Sequence, residues 1–104
     1  MSNNSILEKL DGLRGRFDEV STLITDPNVI ADQQRYVRLT KEYKDLEDLM
    51  NAREKYAHLL ENLEESKDIL LNESDPEMKE MAREEGATCE AQIPELEEQI
   101  KLML

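Results

Sequence analysis

The 104-residue sequence has no tryptophan, one cysteine, one phenylalanine, three glycines and three prolines, and each scarcity excludes a class of protein. A lone thiol, Cys89, rules out an intramolecular disulfide and leaves no cysteine cluster for zinc. Isolated glycines and only four aromatics (Phe17, Tyr36, Tyr43, Tyr56) leave little material for a β-sandwich or a glycine-rich nucleotide fold. Positive charge is also short. The 13 Lys and Arg stand against 25 Asp and Glu, a net charge of −12. Little direct nucleic-acid binding is therefore expected, and an anionic membrane surface would repel the chain. Aliphatic runs reach only the length of Ile69-Leu70-Leu71, far below a membrane span. The N-terminal MSNNSILEKL has no basic region followed by an apolar stretch, so no signal peptide is read there. The expectation is a soluble, acidic, cytoplasmic helical domain.

Helical periodicity is what the sequence does have. Ile6, Leu10, Leu13, Phe17, Val20 and Ile24 alternate steps of four and three, which puts them on one helical stripe. Ser5 with Glu8 reads as a capping box, and Pro27 should stop the helix near Thr25. The spacing predicts a helix over 5–25, with Gly12 and Gly15 each weakening it by roughly 1 kcal/mol. Asp26-Pro27-Asn28 reads as a turn. From Asp32, a candidate N-cap, no glycine or proline intervenes before Pro76. Along that stretch Tyr36, Leu39, Tyr43, Leu46, Met50, Ala57, Leu60, Leu63 and Leu70 recur mostly by threes and fours, with a gap at Arg53. The pattern predicts one helix over 32–72, on the order of 60 Å long.

Asp75 before Pro76 is an N-cap followed by proline at the first helical position, and Glu77 suits the positive end of the helix dipole. A third stripe follows through Met78, Met81, Ala82, Glu85, Cys89, Ile93, Leu96, Ile100 and Met103. It predicts a helix over 76–103, kinked near Glu90 and Ala91 by Pro94, with Gly86 as a second soft point. The expected fold is all-α: one domain over 1–104, an elongated, coiled-coil-like antiparallel three-helix bundle with a long central helix.

Candidate chemistry is sparse. Adjacent carboxylates such as Glu64-Glu65, Glu84-Glu85 and Glu97-Glu98 read as solvated helix faces, with Glu80–Arg83 and Glu97–Lys101 as ion pairs, because acid–base catalysis needs carboxylates held in a cleft. His58 and Cys89 could act as base and nucleophile only if the fold joined them with an orienting group. No cofactor, metal or catalytic residue is assigned, and the chain is not read as an enzyme. Met50, Met78, Met81 and Met103 fit the core stripes, with an adaptable docking face as the sharper alternative. The three tyrosines are expected to bury their rings and leave their hydroxyls wet. Arg35, Arg38, Lys41 and Lys44 form a short basic patch, read as a solvated face rather than an RNA contact.

Two stretches carry a resemblance. Ile30-Ala31-Asp32-Gln33-Gln34-Arg35-Tyr36, continuing through Leu39, Lys41-Glu42-Tyr43 and Leu46, resembles the start of the long helix in the N-terminal domain of bacterial class I peptide chain release factors. Asp75-Pro76-Glu77-Met78-Lys79-Glu80-Met81-Ala82 resembles the start of that domain's third helix. Ile93-Pro94-Glu95-Leu96-Glu97-Glu98 and Lys101-Leu102-Met103-Leu104 look like its end, leading towards a further domain. The chain is more similar to the factor reading UAA and UAG. The sister factor typically carries tryptophan in the turn that Asn28-Val29-Ile30-Ala31-Asp32 occupies here. The resemblance implies an arm acting in translation termination, bound near the GTPase-associated centre at the stalk base of the large ribosomal subunit and facing the GTPase release factor. The family's codon-reading tripeptide and Gly-Gly-Gln motif lie in later domains, and this chain has no Gly-Gly pair. The rival reading is a coiled-coil scaffold that never meets a ribosome.

Overall fold

The structure, a computed structural model, describes residues 3–104. Among the described residues every regular element is an α-helix: α1 (Asn3–Asp11), α2 (Arg14–Leu23), α3 (Pro27–Ala31), α4 (Gln33–Asn72) and α5 (Pro76–Met103). The all-α class and the long helix are as expected, and α4 holds 40 residues without interruption. The first expected helix is instead two. The ladder loosens at Gly12, where the Leu13 amide bonds the Leu10 carbonyl at 3.1 Å, one residue short of the α-helical partner. Glycine here removes the side-chain restraint that would hold the turn in α geometry. The helix also begins before Ser5, so that residue lies inside α1 rather than capping it.

The expected turn at Asp26-Pro27-Asn28 is the start of α3. Asp26 is extended, Pro27 takes the first helical position, and the Asn28 amide donates to Asp26 Oδ1 at 2.8 Å. Asp75-Pro76 repeats the arrangement at α5, with the Glu77 amide donating to Asp75 Oδ1 at 3.0 Å. In both, proline has no amide to leave unpaired and aspartate satisfies the next free donor. Asp32 caps α4 as expected, accepting from the Arg35 amide at 3.2 Å. Helix α5 runs unbroken through Pro94, which together with Glu90, whose carbonyl it deprives of a partner, lies on the exposed face. Because both residues are exposed, the bond that proline forgoes falls on the solvent side of the helix.

The chain divides into two compact units, the first ending at Arg53 and the second running from Glu54 to Leu102, with α4 continuing through both. In the first unit α1 and α2 run antiparallel to the opening half of α4: Asp11 accepts from Arg53 at 2.9 Å, and five residues further on Arg16 meets Glu42. Phe17 stacks on Tyr43 with ring centroids 5.4 Å apart. Ile6, Leu10, Val20, Val29, Leu39, Leu46, Leu49 and Met50 are buried there. Full burial of such side chains stabilises by about 1.5–3 kcal/mol each. The gap in the stripe at Arg53 is filled by the ion pair to Asp11, which lets a charged residue occupy a half-buried position.

The second unit is a helical hairpin of the rest of α4 and α5, joined by Glu73-Ser74-Asp75. Tyr56 meets Glu97, and further along Ser66 lies opposite Gly86, which sets the antiparallel register. Its buried residues are Tyr56, Leu59 and Ser66 on α4 and Ala82, Gly86, Cys89, Ile93, Leu96 and Ile100 on α5. A methyl group built on Gly86 would stand 3.4 Å from Ser66 Cβ, so the two small residues let the helix backbones approach closely. The buried stripe of α4 is turned by one position from the expected one in this half: Tyr56, Leu59 and Ser66 are buried, while Ala57, Leu60, Leu63 and Leu70 are half-buried.

Candidate interaction surfaces

The two residues considered for nucleophilic chemistry stand in different surroundings. Cys89 is buried, and burial, then the neighbouring Glu85 carboxylate, pushes its thiol above the ordinary range. A raised thiol is mostly protonated near neutral pH and is a poor nucleophile. His58 is exposed, and Nδ1 lies 3.9 Å from Glu61 on its own helix. Among the described residues no group of three or more His, Cys, Asp or Glu is placed to hold a metal ion. No described helix is long and apolar enough to cross a membrane.

The expected ion pairs need one correction. Arg83 pairs with Glu80 as expected, but Lys101 pairs with Glu98 at 3.1 Å. Glu97 instead accepts from the Tyr56 hydroxyl at 2.7 Å. The tyrosine ring is wholly buried, so its hydroxyl is not wet, and burial together with Glu97 raises it far above the usual tyrosine range. A buried hydroxyl needs a partner, and the carboxylate facing it across the hairpin supplies one. Tyr36 and Tyr43 are half-buried.

Two surfaces have the character of docking sites. On the opening turns of α4, Arg35, Arg38 and Lys41 are exposed and carry no ion pair among the described residues, and Val37 between them is 59% exposed. Lys44, the fourth residue of this patch, is instead held by Glu47 at 3.5 Å and Asp48 at 3.2 Å. On the hairpin, Met78 and Met81 are exposed rather than buried as the third stripe implied, and Met81 is 70% accessible. With Ile69 and Ala82 they floor an open groove of about 420 Å³, walled by Glu65 and Glu85. Met50, in contrast, is buried as expected.

Comparison with known proteins places the chain in a family. The family model described as the PCRF domain matches residues 13–104. The chain belongs to the PCRF domain family. Its matched span opens at the break after Gly12, so α2 through α5 lie within it and α1 precedes it. The chain is 69% identical over 102 residues to peptide chain release factor 1 of Bacteroides fragilis, covering 98% of this chain. Identity is 60% over all 104 residues with peptide chain release factor 1 of Parabacteroides distasonis, and 44% over 99 residues, 95% of this chain, with that of Flavobacterium psychrophilum. The chain spans 28% of the length of each of these relatives. No solved structure matches it.

The resemblance read from the two helix-start motifs is thus borne out at the level of the family. Both motifs are helix caps in this PCRF domain: Asp32 opens α4 and Asp75 opens α5. Sequence reasoning offers a docking face at these methionines only as an alternative to core packing, because Met78 shares the period of the buried Ala82, Cys89 and Ile93, while Met81 lies about 100° round the helix from that stripe. The signal available was charge: Glu77, Glu80, Glu84 and Glu85 surround those methionines in the chain, which is unusual company for core residues.

Proposed function

We propose that this chain is the N-terminal helical arm of a peptide chain release factor that acts in translation termination at UAA and UAG codons. The observation that carries the proposal is the PCRF match over 13–104 together with the relatives named above, each a peptide chain release factor 1. The arm works in the cytoplasm on the ribosome, near the GTPase-associated centre at the stalk base of the large subunit, and bears on the GTPase release factor. It neither reads the codon nor hydrolyses peptidyl-tRNA, since its glycines are isolated at 12, 15 and 86 and no Gly-Gly-Gln can be formed from them.

The test is deletion of residues 1–104 from the full-length factor. Peptide release from a stop-programmed ribosome should be largely retained, while dissociation stimulated by the GTPase factor should weaken. A coupling of about 1–3 kcal/mol corresponds to a factor of about 5–150. Loss of release with the other domains folded would give the arm a larger role than proposed. Normal release with normal recycling would leave it without this one.

A further inference from the structure

The methionine groove of the hairpin has features that the arm's placement on a ribosome does not account for. Its floor is apolar and exposed, with Met78 at 43% and Met81 at 70% accessibility beside the half-buried Ile69. Unpartnered thioethers at such accessibility forgo burial that the neighbouring positions of α5 achieve, and their flexible side chains adapt to a varied apolar surface. The walls are of one sign. Glu65 on α4 and Glu85 on α5 both line the groove, and no Lys or Arg lines it. One helical turn from Glu65 on α4 stand Glu61 and Asp68, and one turn from Met81 on α5 stand Glu77 and Glu84. The cations Lys67 and Arg83 line a separate, smaller hollow of about 240 Å³ on the hairpin, with Leu63, Leu70 and Ala87.

We infer that this groove is a docking surface for a cationic amphipathic helix of a partner protein. Each wall spans two helical turns, from Asn62 to Ile69 and from Met78 to Glu85, on the order of 10 Å. That length suits two turns of a helix inserting apolar side chains at i, i+3 or i+4, and i+7 between the methionines. Lys or Arg on the flanks of that helix would meet the glutamates of both walls. Nucleic acid is disfavoured because its phosphates would face these carboxylates, and the acidic walls repel an anionic membrane in the same way. The inference does not depend on a role in termination and is tested on the 104-residue chain itself.

The experiment is an NMR titration of the chain with three synthetic peptides. One is a Leu/Lys amphipathic helix, the second has Glu in place of Lys, and the third is the Leu/Lys composition scrambled to abolish the apolar face. The first should shift the methyl resonances of Ile69, Met78 and Met81 and bind at least about tenfold more tightly than the other two, a factor worth about 1.4 kcal/mol. Met81→Glu, at an exposed position, should leave the helical circular dichroism intact and weaken binding about tenfold or more. The double variant Glu65→Lys, Glu85→Lys should exchange the preference, binding the Leu/Glu peptide over the Leu/Lys one. Equal binding of the scrambled peptide, shifts centred away from the groove, or Met81→Glu binding like the parent would each overturn the inference. Concentration-dependent shifts of the groove methyls without peptide would also overturn it, by making a second copy of the chain the occupant.

Discussion

Tyr56 shows what a single residue does in the second unit. Its ring is the largest fully buried side chain among the described residues, and its hydroxyl is committed to Glu97 at 2.7 Å. Tyr56→Phe keeps the ring and removes the bond, so urea unfolding should show a loss of about 1 kcal/mol, whereas Tyr56→Ala should cost about 3–5 kcal/mol through the cavity. The sign of the pH dependence follows from the raised phenol. The folded state holds the proton more tightly than the unfolded chain, where tyrosine ionises near about pH 10. The contribution is complete below that value and is lost as pH rises towards the folded value. Tyr56→Phe should therefore lose less stability than the parent between neutral pH and about pH 11. An identical alkaline decline in both proteins would mean that the hydroxyl is not held as described. The residue was read from the sequence as a buried ring with a wet hydroxyl. The aromatic ring suggests its burial although the expected stripe runs through Ala57 beside it, and the partner lies on another helix, which no spacing in the chain reveals.

At the scale of the element, the two Asp-Pro starts make parallel predictions. Asp75→Ala removes the acceptor of the Glu77 amide and should cost about 1 kcal/mol by urea unfolding, with Asp75→Asn retaining most of it. Asp26→Ala should behave likewise for α3, although that element has only five residues. The signal at Asp26-Pro27 was present in the sequence and matched the one at Asp75-Pro76. It read as a turn because no apolar stripe follows it long enough to declare a helix. Pro94 makes the opposite case. Since it lies on the exposed face of an unbroken helix, Pro94→Ala should restore a backbone bond without disturbing the core, and thermal unfolding should show stabilisation of about 1–3 kcal/mol. Destabilisation would mean that the local geometry set by proline is needed by the helix. The division of the expected first helix at Gly12 belongs to this scale as well. Glycine weakens a helix, but whether the weakness becomes a break depends on the packing of α1 and α2, which the stripe alone does not encode.

For the whole molecule, burial and charge decide the outcome together. Leu46 is buried, so Leu46→Asp places a carboxylate in the core of the first unit and should destabilise by several kcal/mol, visible as loss of cooperative melting at ambient temperature. Glu64→Gln, on an exposed face, should stay within about 0.5 kcal/mol of the parent. Comparable melting of Leu46→Asp and the parent would show that the position is not core. The class of fold, the long helix, the caps at Asp32 and Asp75 and the family were all determined by the sequence itself. Each rests on local chemistry: a 3.6-residue period, a proline's missing amide, an aspartate's reach to the next backbone donor. What only the tertiary structure decided is which residues on a periodic stripe are covered. Met78 and Ala82 lie four residues apart on one stripe of α5, yet one is exposed and the other buried. Periodicity gives the direction in which a side chain points but not whether another helix lies there, and that depends on the register fixed by Ser66 against Gly86 and Tyr56 against Glu97.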